Sequence, residues 1–575
     1  MGDLKPYFQL YKKHWFHLTI GSLIGLLTLL ASVGLLTVSG WFLSASAVAG
    51  LTIARQTFNY MLPGAAVRGL AISRTAGRWG ERVITHDATF KLLTDLRVRF
   101  FKRMIPLFPR KNATLRDADL LNRITADVEA MDHIYLRLVS PIAQSLIGIV
   151  LLSLIVAWFD TASGLWLGTT LIAVMVIWPP LFYKLGKHNG EQLTLTKATL
   201  RTTLIDYISA HSELLIYGGE NKRYKQFIQQ QSKLIEHQFY HARISALASS
   251  LLMLVNGVTL LGILYLGLNG YHGEPATPIT ALIVFAALSS MELLIPIAGA
   301  FQFLGQTLTS AKRLNQITEA SPEVTFLDDG AQAQPLSSQS LDVQIDNVSF
   351  QYSERPVLQQ IDLTLPAGSK TALLGKTGCG KSTLAQLLTR SWDCDSGEIV
   401  FNGVSLRQIP EDVLRASTSV VSQRVDILND SLRNNLTIAN NKADDEQLAD
   451  ALHKVELSHL LDDTGLEQWL GDGGRQLSGG EKRRIGLARM LLHTGKLVIL
   501  DEATEGLDKT TEKKMLDLIT EHCKNKTALF ITHRLSNLHT MDTIVMMESG
   551  RIVEQGDFRF LLKQNGRFKR LTEAL

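Results

Sequence analysis

The stretch Gly375-Lys376-Thr377-Gly378-Cys379-Gly380-Lys381-Ser382 constrains this chain more than any other. It has the form G-x-x-x-x-G-K-[ST], with the apolar run Thr371–Leu374 before it and the helix-like Thr383–Leu388 after it. A loop of this composition between a strand and a helix is a phosphate cradle. Its glycines let backbone N–H groups close around phosphate oxygens, and the helix N-terminus adds partial positive charge. Lys381 is expected to reach the β- and γ-phosphates, and Ser382 to ligate Mg²⁺. Cys379 sits at a variable position of the loop, where a small residue fits.

With 575 residues the chain exceeds a single core. Charged residues make up only 19%, below the ~25% of ordinary soluble domains. The deficit lies in the first 320 or so residues. Apolar runs cover His17 to about Gly50, a second stretch from near Phe58 that includes Pro63 and Arg68, then about Arg137–Phe159, Ala162–Tyr183, Ile244–Leu268 and Pro278–Leu308. Each can cross ~30 Å of hydrocarbon, and six spans are expected. The first run is too long for a cleavable signal. Before it, Tyr7–Lys13 reads as a short amphipathic segment at the membrane surface.

Lysine and arginine crowd the segments between spans two and three (Lys91, Arg97, Arg99, Lys102, Arg103, Arg110, Lys111, Arg116, Arg123) and between spans four and five (Lys184, Lys187, Lys197, Arg201, Lys222, Arg223, Lys225). The other turns hold little positive charge, so both termini are expected in the cytosol. Residues 319–340 are polar and read as a linker. The expected domains are a six-span membrane unit at 1–318, the linker at 319–340, and an α/β ATPase unit at 341–575. Three cysteines, Cys379, Cys394 and Cys523, lack metal-ligand spacing and suit a reducing compartment. The net charge of +4 is too small to argue for nucleic acid.

Two further motifs carry chemistry. Leu497–Leu500 is a buried strand that ends on Asp501 and Glu502. Asp501 is placed to hold Mg²⁺, and Glu502 to orient or deprotonate an attacking water. Leu477-Ser478-Gly479-Gly480-Glu481 precedes an Arg- and Leu-rich helix and offers a second phosphate-binding N-terminus. One nucleotide cannot easily be held by both glycine loops of one chain. A dimer with ATP between the P-loop of one subunit and the second loop of the other solves this.

Together with Gln423, Gly506-Leu507-Asp508 and His533, these motifs resemble the ATPase domain of ABC transporters. The resemblance covers about 235 residues and implies further roles. Tyr352 would stack on adenine, and Gln423 would sense Mg²⁺ and the γ-phosphate. His533 would contact the γ-phosphate, and Asp508 would act across the dimer. The P-loop residues Gly375 to Thr383 belong to the same nucleotide set. Ala503 departs from the usual Pro and Glu481 from the commoner Gln, and neither departure removes a catalytic group. Asp119–Val128 and Glu213–Glu220 resemble the coupling segments of six-helix, domain-swapped exporters.

Leu35–Gly50, Phe58–Pro63, Val67–Gly69 and His86–Phe90 resemble the CydC family of half-transporters. That likeness implies a heterodimer with a CydD-like chain in the bacterial inner membrane. It also implies haem, export of cysteine and glutathione or transport of haem, and support of cytochrome bd assembly. The residues add their own indication. Arg74, Arg78, Arg82 and His86 recur every four positions and so share one helical stripe. Such a stripe suits an anionic ligand, either haem propionates or glutathione carboxylates. His86 would be the axial ligand to haem iron, with Arg82 supporting it. Arg68 and Glu292 lie within spans and are expected to pair with each other or to line the substrate path. A half-size exporter of lipids, peptides or drugs, and a haem- or thiol-responsive ATPase that gates a partner, are the alternative functions.

Overall fold

The computed structural model describes residues 4–51, 56–108, 117–268, 277–326, 336, 338–352, 354–534, 537–564 and 566–573. Arg110, Lys111, Arg116 and much of the expected linker lie outside them. The chain divides into two compact units, Met1–Ile105 with Ala113–Ala320, and Ser321–Leu575 with Pro106–Asn112.

The first unit is helical: α1 (Lys5–Tyr11), α2 (Trp15–Gly50), α3 (Met61–Met104), α4 (Asp117–Asn122), α5 (Ser140–Phe159), α6 (Thr161–Ser209), α7 (His211–Ile216), α8 (Glu220–Leu268), α9 (Pro278–Ser289) and α10 (Met291–Thr318). Among the described residues, five stretches are long and apolar enough to cross a membrane: Pro6–Gly50, Ile134–Phe159, Thr161–Ser209, Glu220–Leu268 and Pro278–Ile297. The second expected span falls on α3. It is 44 residues long, about 66 Å at 1.5 Å per residue. Its arginines and Glu81 keep it below the apolarity of the others. It lies close against α2, where a Cβ on Gly77 would come within 2.3 Å of the Thr28 hydroxyl.

The structure revises three expectations. The N-terminal segment does not simply lie on a surface: Leu4 and Tyr7 are buried, and the Tyr7 hydroxyl donates to Asn315 Oδ1 of α10 at 2.9 Å. The last span is not one uninterrupted α-helix: at Ser290, between α9 and α10, a single residue with helical dihedrals (φ −59°, ψ −21°) interrupts the regular hydrogen bonding. Pro296, which has no N–H to donate, lies within the next turn. Finally, the helical pattern over Asp119–Val128 does not continue as an α-helix. After α4 the backbone widens into a π turn over Arg123–Asp127.

That π turn carries a buried ionic network. Asp119 accepts from Arg123 Nε at 2.9 Å and from Arg313 at 2.5 Å. Arg313 also pairs with Asp127 at 2.9 Å, and Ser310 donates to Asp127 at 2.8 Å. Arg123 reaches the Arg313 carbonyl at 2.6 Å. Burial pushes the Asp127 carboxyl up, offset in part by Arg313 and the Ser310 hydroxyl. The network ties the segment after α3 to the last helix of the unit.

The second unit has two sheets. A four-stranded antiparallel sheet runs β2 (Arg355–Leu365), β1 (Val343–Tyr352), β4 (Ser396–Phe401), β5 (Val404–Ser405). A six-stranded sheet runs β10 (Arg551–Gly556), β9 (Thr543–Glu548), β3 (Lys370–Gly375), β8 (Thr527–Thr532), β7 (Leu497–Asp501), β6 (Thr418–Val421). From β9 to β6 every pairing is parallel. The near-continuous apolar runs of β3, β7 and β8 are those of strands covered on both faces. The helices are α11 (Lys381–Leu388), α12 (Glu411–Ser417), α13 (Leu432–Thr437), α14 (Asp445–Lys454), α15 (Gly479–Leu492), α16 (Lys509–His522), α17 (Phe558–Lys563) and α18 (Arg567–Glu573).

Replacing Arg313 tests the ionic network. Arg313→Met strands the buried Asp127 carboxylate and leaves Asp119 with Arg123 alone, and is expected to cost about 3–5 kcal/mol. Arg313→Met with Asp127→Asn should recover part of that loss. Thermal unfolding of the solubilised protein reads both, and equal midpoints for the single variant and the parent protein would contradict the account.

Candidate functional site

Three parallel strands end side by side and supply the site. Gly375 closes β3, Asp501 closes β7, and Thr532 closes β8. The register pairs Asp501 with Ile531 and Val421 with Leu500. Gln423, Glu502 and His533, each just past a strand end, therefore arrive together. Gln423 Nε2 donates to Glu502 Oε2 at 2.7 Å, and His533 Nδ1 lies 3.1 Å from Glu502 Oε1. Glu502 holds a left-handed backbone at φ 51°, a conformation that costs a non-glycine residue of order 1–3 kcal/mol. The turn swings its carboxylate away from the strand direction of Asp501 and into the cleft.

The P-loop is built as its glycines require. Gly378 and Gly380 have φ of 83° and 107°, the region that favours glycine. A Cβ on Gly380 would lie 2.7 Å from Leu358 Cδ2, whereas one on Gly378 would meet nothing. Lys381 is buried, and its ammonium is held over the loop by the carbonyls of Gly375 at 2.8 Å and Lys376 at 3.1 Å. Ser382 and Thr383 open α11, whose first N–H groups lack a side-chain cap. Cys379 is buried, 4.0 Å from the Lys381 ammonium.

Asp501 is buried and Glu502 is half-buried. Burial raises the Asp501 carboxyl above its ordinary range, and the Glu502 charge adds to this, while the Ser382 hydroxyl and Lys381 work against it. For Glu502 burial also acts upward, but His533, Glu505 and Gln423 together hold it below its ordinary value. Glu502 is therefore ionised at neutral pH and ready to accept a proton. The Ser382 hydroxyl acts on the Asp501 carboxyl and lowers its pKa. With the Gln423 amide they offer the oxygen donors that Mg²⁺ prefers, so the residues fit that ion.

A cleft of about 810 Å³ takes in Gly375, Lys376, Thr377, Gln423, Glu502 and His533. Tyr352 is not part of its lining. It is half-buried, donates to Gln386 Oε1 at 2.7 Å, and sets its ring edge-on to Phe350 and Trp392. Gly479 lines a different cleft, of about 440 Å³, with Asp426, Gly471 and Lys482. Ser478 caps α15 in a reciprocal capping box with Glu481. Burial opposes ionisation of Glu481, but the His459 ring and the Ser478 N–H and hydroxyl pull its carboxyl down to about 2. Glu481 is thus a structural member of the loop, and Gly480 stands open beside Leu507. Asp508 caps α16, accepting from the N–H groups of Thr510 and Thr511 at 3.0 Å each.

Sequence reasoning missed Glu505 and the C-terminal arginines. Glu505 pairs with Arg483 of α15 at 3.2 Å and, with Glu502 and His533, brings three ligand atoms within 4.8 Å of one another. Its position in Asp501-Glu502-Ala503-Thr504-Glu505 was a readable signal. Arg567 and Arg570 of α18 line the nucleotide cleft from nearly 200 residues downstream of the P-loop. No local pattern announces them.

In the membrane unit, Arg74, Arg78 and Arg82 line one cleft of about 460 Å³ with Leu35, Thr75 and Trp79. His86 is not in that lining; it is exposed, with its ring 5.8 Å from Phe90. Glu292 pairs with Arg74 at 3.6 Å and not with Arg68, which is exposed near the start of α3. Arg74 lies six positions further along α3 and so reaches the depth of the break at Ser290.

Comparisons with known proteins agree with this arrangement. The ABC transporter family model matches residues 358–505, and the ABC transporter transmembrane region matches residues 21–293. The glutathione/L-cysteine transport system ATP-binding/permease protein CydC of Escherichia coli (strain K12) is 42% identical over the full length of both chains. The corresponding CydD protein of Bacillus subtilis (strain 168) is 27% identical over 95% of each chain. A bacterial Atm1-family ABC exporter with ATP bound has the same fold, with a TM-score of 0.86 and 21% identity over 98% of both chains.

Two substitutions probe the site. Glu502→Gln should leave nucleotide binding in place and lower ATP hydrolysis at this site by about 10²–10⁴-fold, the usual contribution of a general base. Normal turnover at this site, paired with an inactive partner site, would remove Glu502 from the role. Gly380→Ala should lose about 1–2 kcal/mol on backbone conformation plus its clash with Leu358. Gly378→Ala should lose the backbone part alone. Affinity for a fluorescent ATP analogue ranks the two, and the reverse order would contradict the loop geometry.

Proposed function

This chain belongs to the ABC transporter family, in the branch that holds CydC, and on that premise we propose that it is one half of an ATP-driven exporter of glutathione and L-cysteine. Its partner is a CydD-like chain, and the pair works in the bacterial inner membrane with termini and ATPase units in the cytosol. Domain limits at 1–318, 319–340 and 341–575 are part of the proposal.

The observation that carries the reading is the coexistence of two sites in one chain. One is the hydrolytic set of Lys381, Asp501, Glu502 and His533. The other is the arginine cleft on a helix that runs with the membrane spans. A cation at membrane depth costs about 2.5–3.5 kcal/mol on insertion scales. Three of them on one cleft need a ligand or further counter-charge: among the described residues, Arg74 has Glu292, and Arg78 and Arg82 share Glu81 of their own helix. Carboxylates of a small thiol peptide supply such a counter-charge.

The ATP site is half of a pair. The P-loop cleft and the cleft of Gly479 share Gln423 but no other lining residue. ATP held by Gly375–Thr383 then takes its second glycine loop from the partner, and Ser478–Gly480 serves the partner's nucleotide. Asp508 sits beside that loop at the dimer seam. Tyr352 flanks the adenine. Mg²⁺, held through Ser382, Gln423 and Asp501, neutralises phosphate charge when bound. Glu502 accepts a proton from the attacking water, and His533 keeps that carboxylate oriented. Hydrolysis resets the closed pair, and the membrane helices follow.

Haem, implied by the likeness to CydC, would rest on His86 and Arg82. Because the imidazole is exposed and outside the arginine cleft, the residues of this chain do not by themselves enclose a porphyrin.

Inside-out vesicles that contain this chain with its CydD-like partner should accumulate labelled glutathione or cysteine only with hydrolysable ATP. Stable, active homodimers that move no thiol would overturn the assignment in favour of a lipid, peptide or drug exporter. ATP turnover without uptake of any solute would favour an ATPase that gates a partner.

A further inference from the structure

Among the described residues, the ion pair between Arg74 and Glu292 is the one opposite charge fixed on the arginine stripe by a side chain of another helix. Arg78 and Arg82 form no side-chain ion pair among the described residues; the carboxylate beside them is Glu81, on their own helix. The pair is built loosely. Its atoms stand 3.6 Å apart, and both side chains are more than a third exposed. Glu292 lies in the first turn of α10, immediately after the break at Ser290. Its own carbonyl faces the position of Pro296, which has no N–H to return. The carboxylate is therefore presented where the helical hydrogen-bond ladder is interrupted, next to a cleft whose volume suits a small molecule.

We propose that this pair is a filter for zwitterions, and that Glu292 reads the ammonium group of the exported thiol. The inference rests on the thiol-export reading above and adds what the site selects. A substrate with one carboxylate and one ammonium can replace both partners at once. Its carboxylate takes the place of Glu292 on Arg74, and its ammonium takes the place of Arg74 on Glu292. No charge is left bare at membrane depth, so the exchange is close to neutral. A simple anion of the same size engages Arg74 but strands the Glu292 carboxylate. A simple amine strands Arg74 among two further arginines. The second carboxylate of a γ-glutamyl peptide finds Arg78 or Arg82, which explains a stripe longer than cysteine alone requires. Trp79 and Leu35 supply apolar surface for the thiol-bearing part.

The test uses the complete heterodimer in proteoliposomes with ATP, and two probes, L-cysteine and N-acetyl-L-cysteine. They share the thiol and carboxylate and differ in the ammonium. The parent protein should carry cysteine at least about tenfold faster, the discrimination expected when a charge at membrane depth is left without its partner. Glu292→Gln should bring the two rates within about twofold, mainly by slowing cysteine, while Glu292→Asp keeps the preference. Uptake of N-acetyl-L-cysteine by Glu292→Gln shows at the same time that the variant is assembled. Equal rates for the two probes in the parent protein overturn the filter while thiol export stands, as does a tenfold preference that survives Glu292→Gln. If the parent protein moves glutathione and neither probe, selection by this pair is wrong and export is not. If it moves no thiol at all, the export reading itself fails.

Discussion

The register of three parallel strands is the constraint on which the ATPase unit depends. Hydrogen bonding fixes β6, β7 and β8 so that Val421 faces Leu500 and Asp501 faces Ile531. Gln423, Glu502 and His533 follow those strand ends by one or two residues and converge without any loop to steer them. A slip of one residue in β7 would turn every side chain to the other face. It would bury Glu502 and expose Asp501. The left-handed backbone at Glu502 is the strain accepted for presenting two adjacent carboxylates to different tasks. Asp501 stays in line with its buried strand, near Ser382 and Lys381. Glu502 is turned out to Gln423 and His533, which keep it ionised.

The membrane unit answers a different constraint, the cost of charge away from water. It places its charges in three ways. The network of Asp119, Arg123, Asp127 and Arg313 is closed and largely buried, with each carboxylate facing an arginine. The arginine cleft on α3 is open and under-compensated. Between these extremes, the Arg74–Glu292 contact is compensated but exchangeable. A closed network suits a joint that transmits movement, and an open cleft suits a ligand. That division follows from the packing of α3 against α2 and of α10 against the π turn, both within one unit.

Much of this was legible in the chain. The P-loop, the Asp501-Glu502 strand end and the Ser478 loop are local patterns whose spacing carries the chemistry. The four-residue recurrence of Arg74, Arg78 and Arg82 survives as a shared cleft because α3 is an uninterrupted helix. What was not legible depends on contacts between distant elements. Helical spacing over Asp119–Val128 says nothing of a π turn, which is held by Arg313 nearly 190 residues away. Likewise, apolar composition over Pro278–Leu308 hides the break at Ser290. Glu481 looked like a departure in a nucleotide loop and is the N3 partner of a helix cap. Arg567 and Arg570 reach the cleft only because α18 folds back beside β9 and β10.

The central claim is that this chain's P-loop and its Ser478 loop serve two different nucleotides. Ser478→Arg in the heterodimer tests it most directly, with photo-labelling by an azido-ATP under vanadate trapping as the readout. The account predicts that trapping on this chain's own P-loop persists while trapping on the partner chain is lost. Loss of trapping on this chain, with the partner unaffected, would mean that both loops hold one nucleotide in cis and would contradict it.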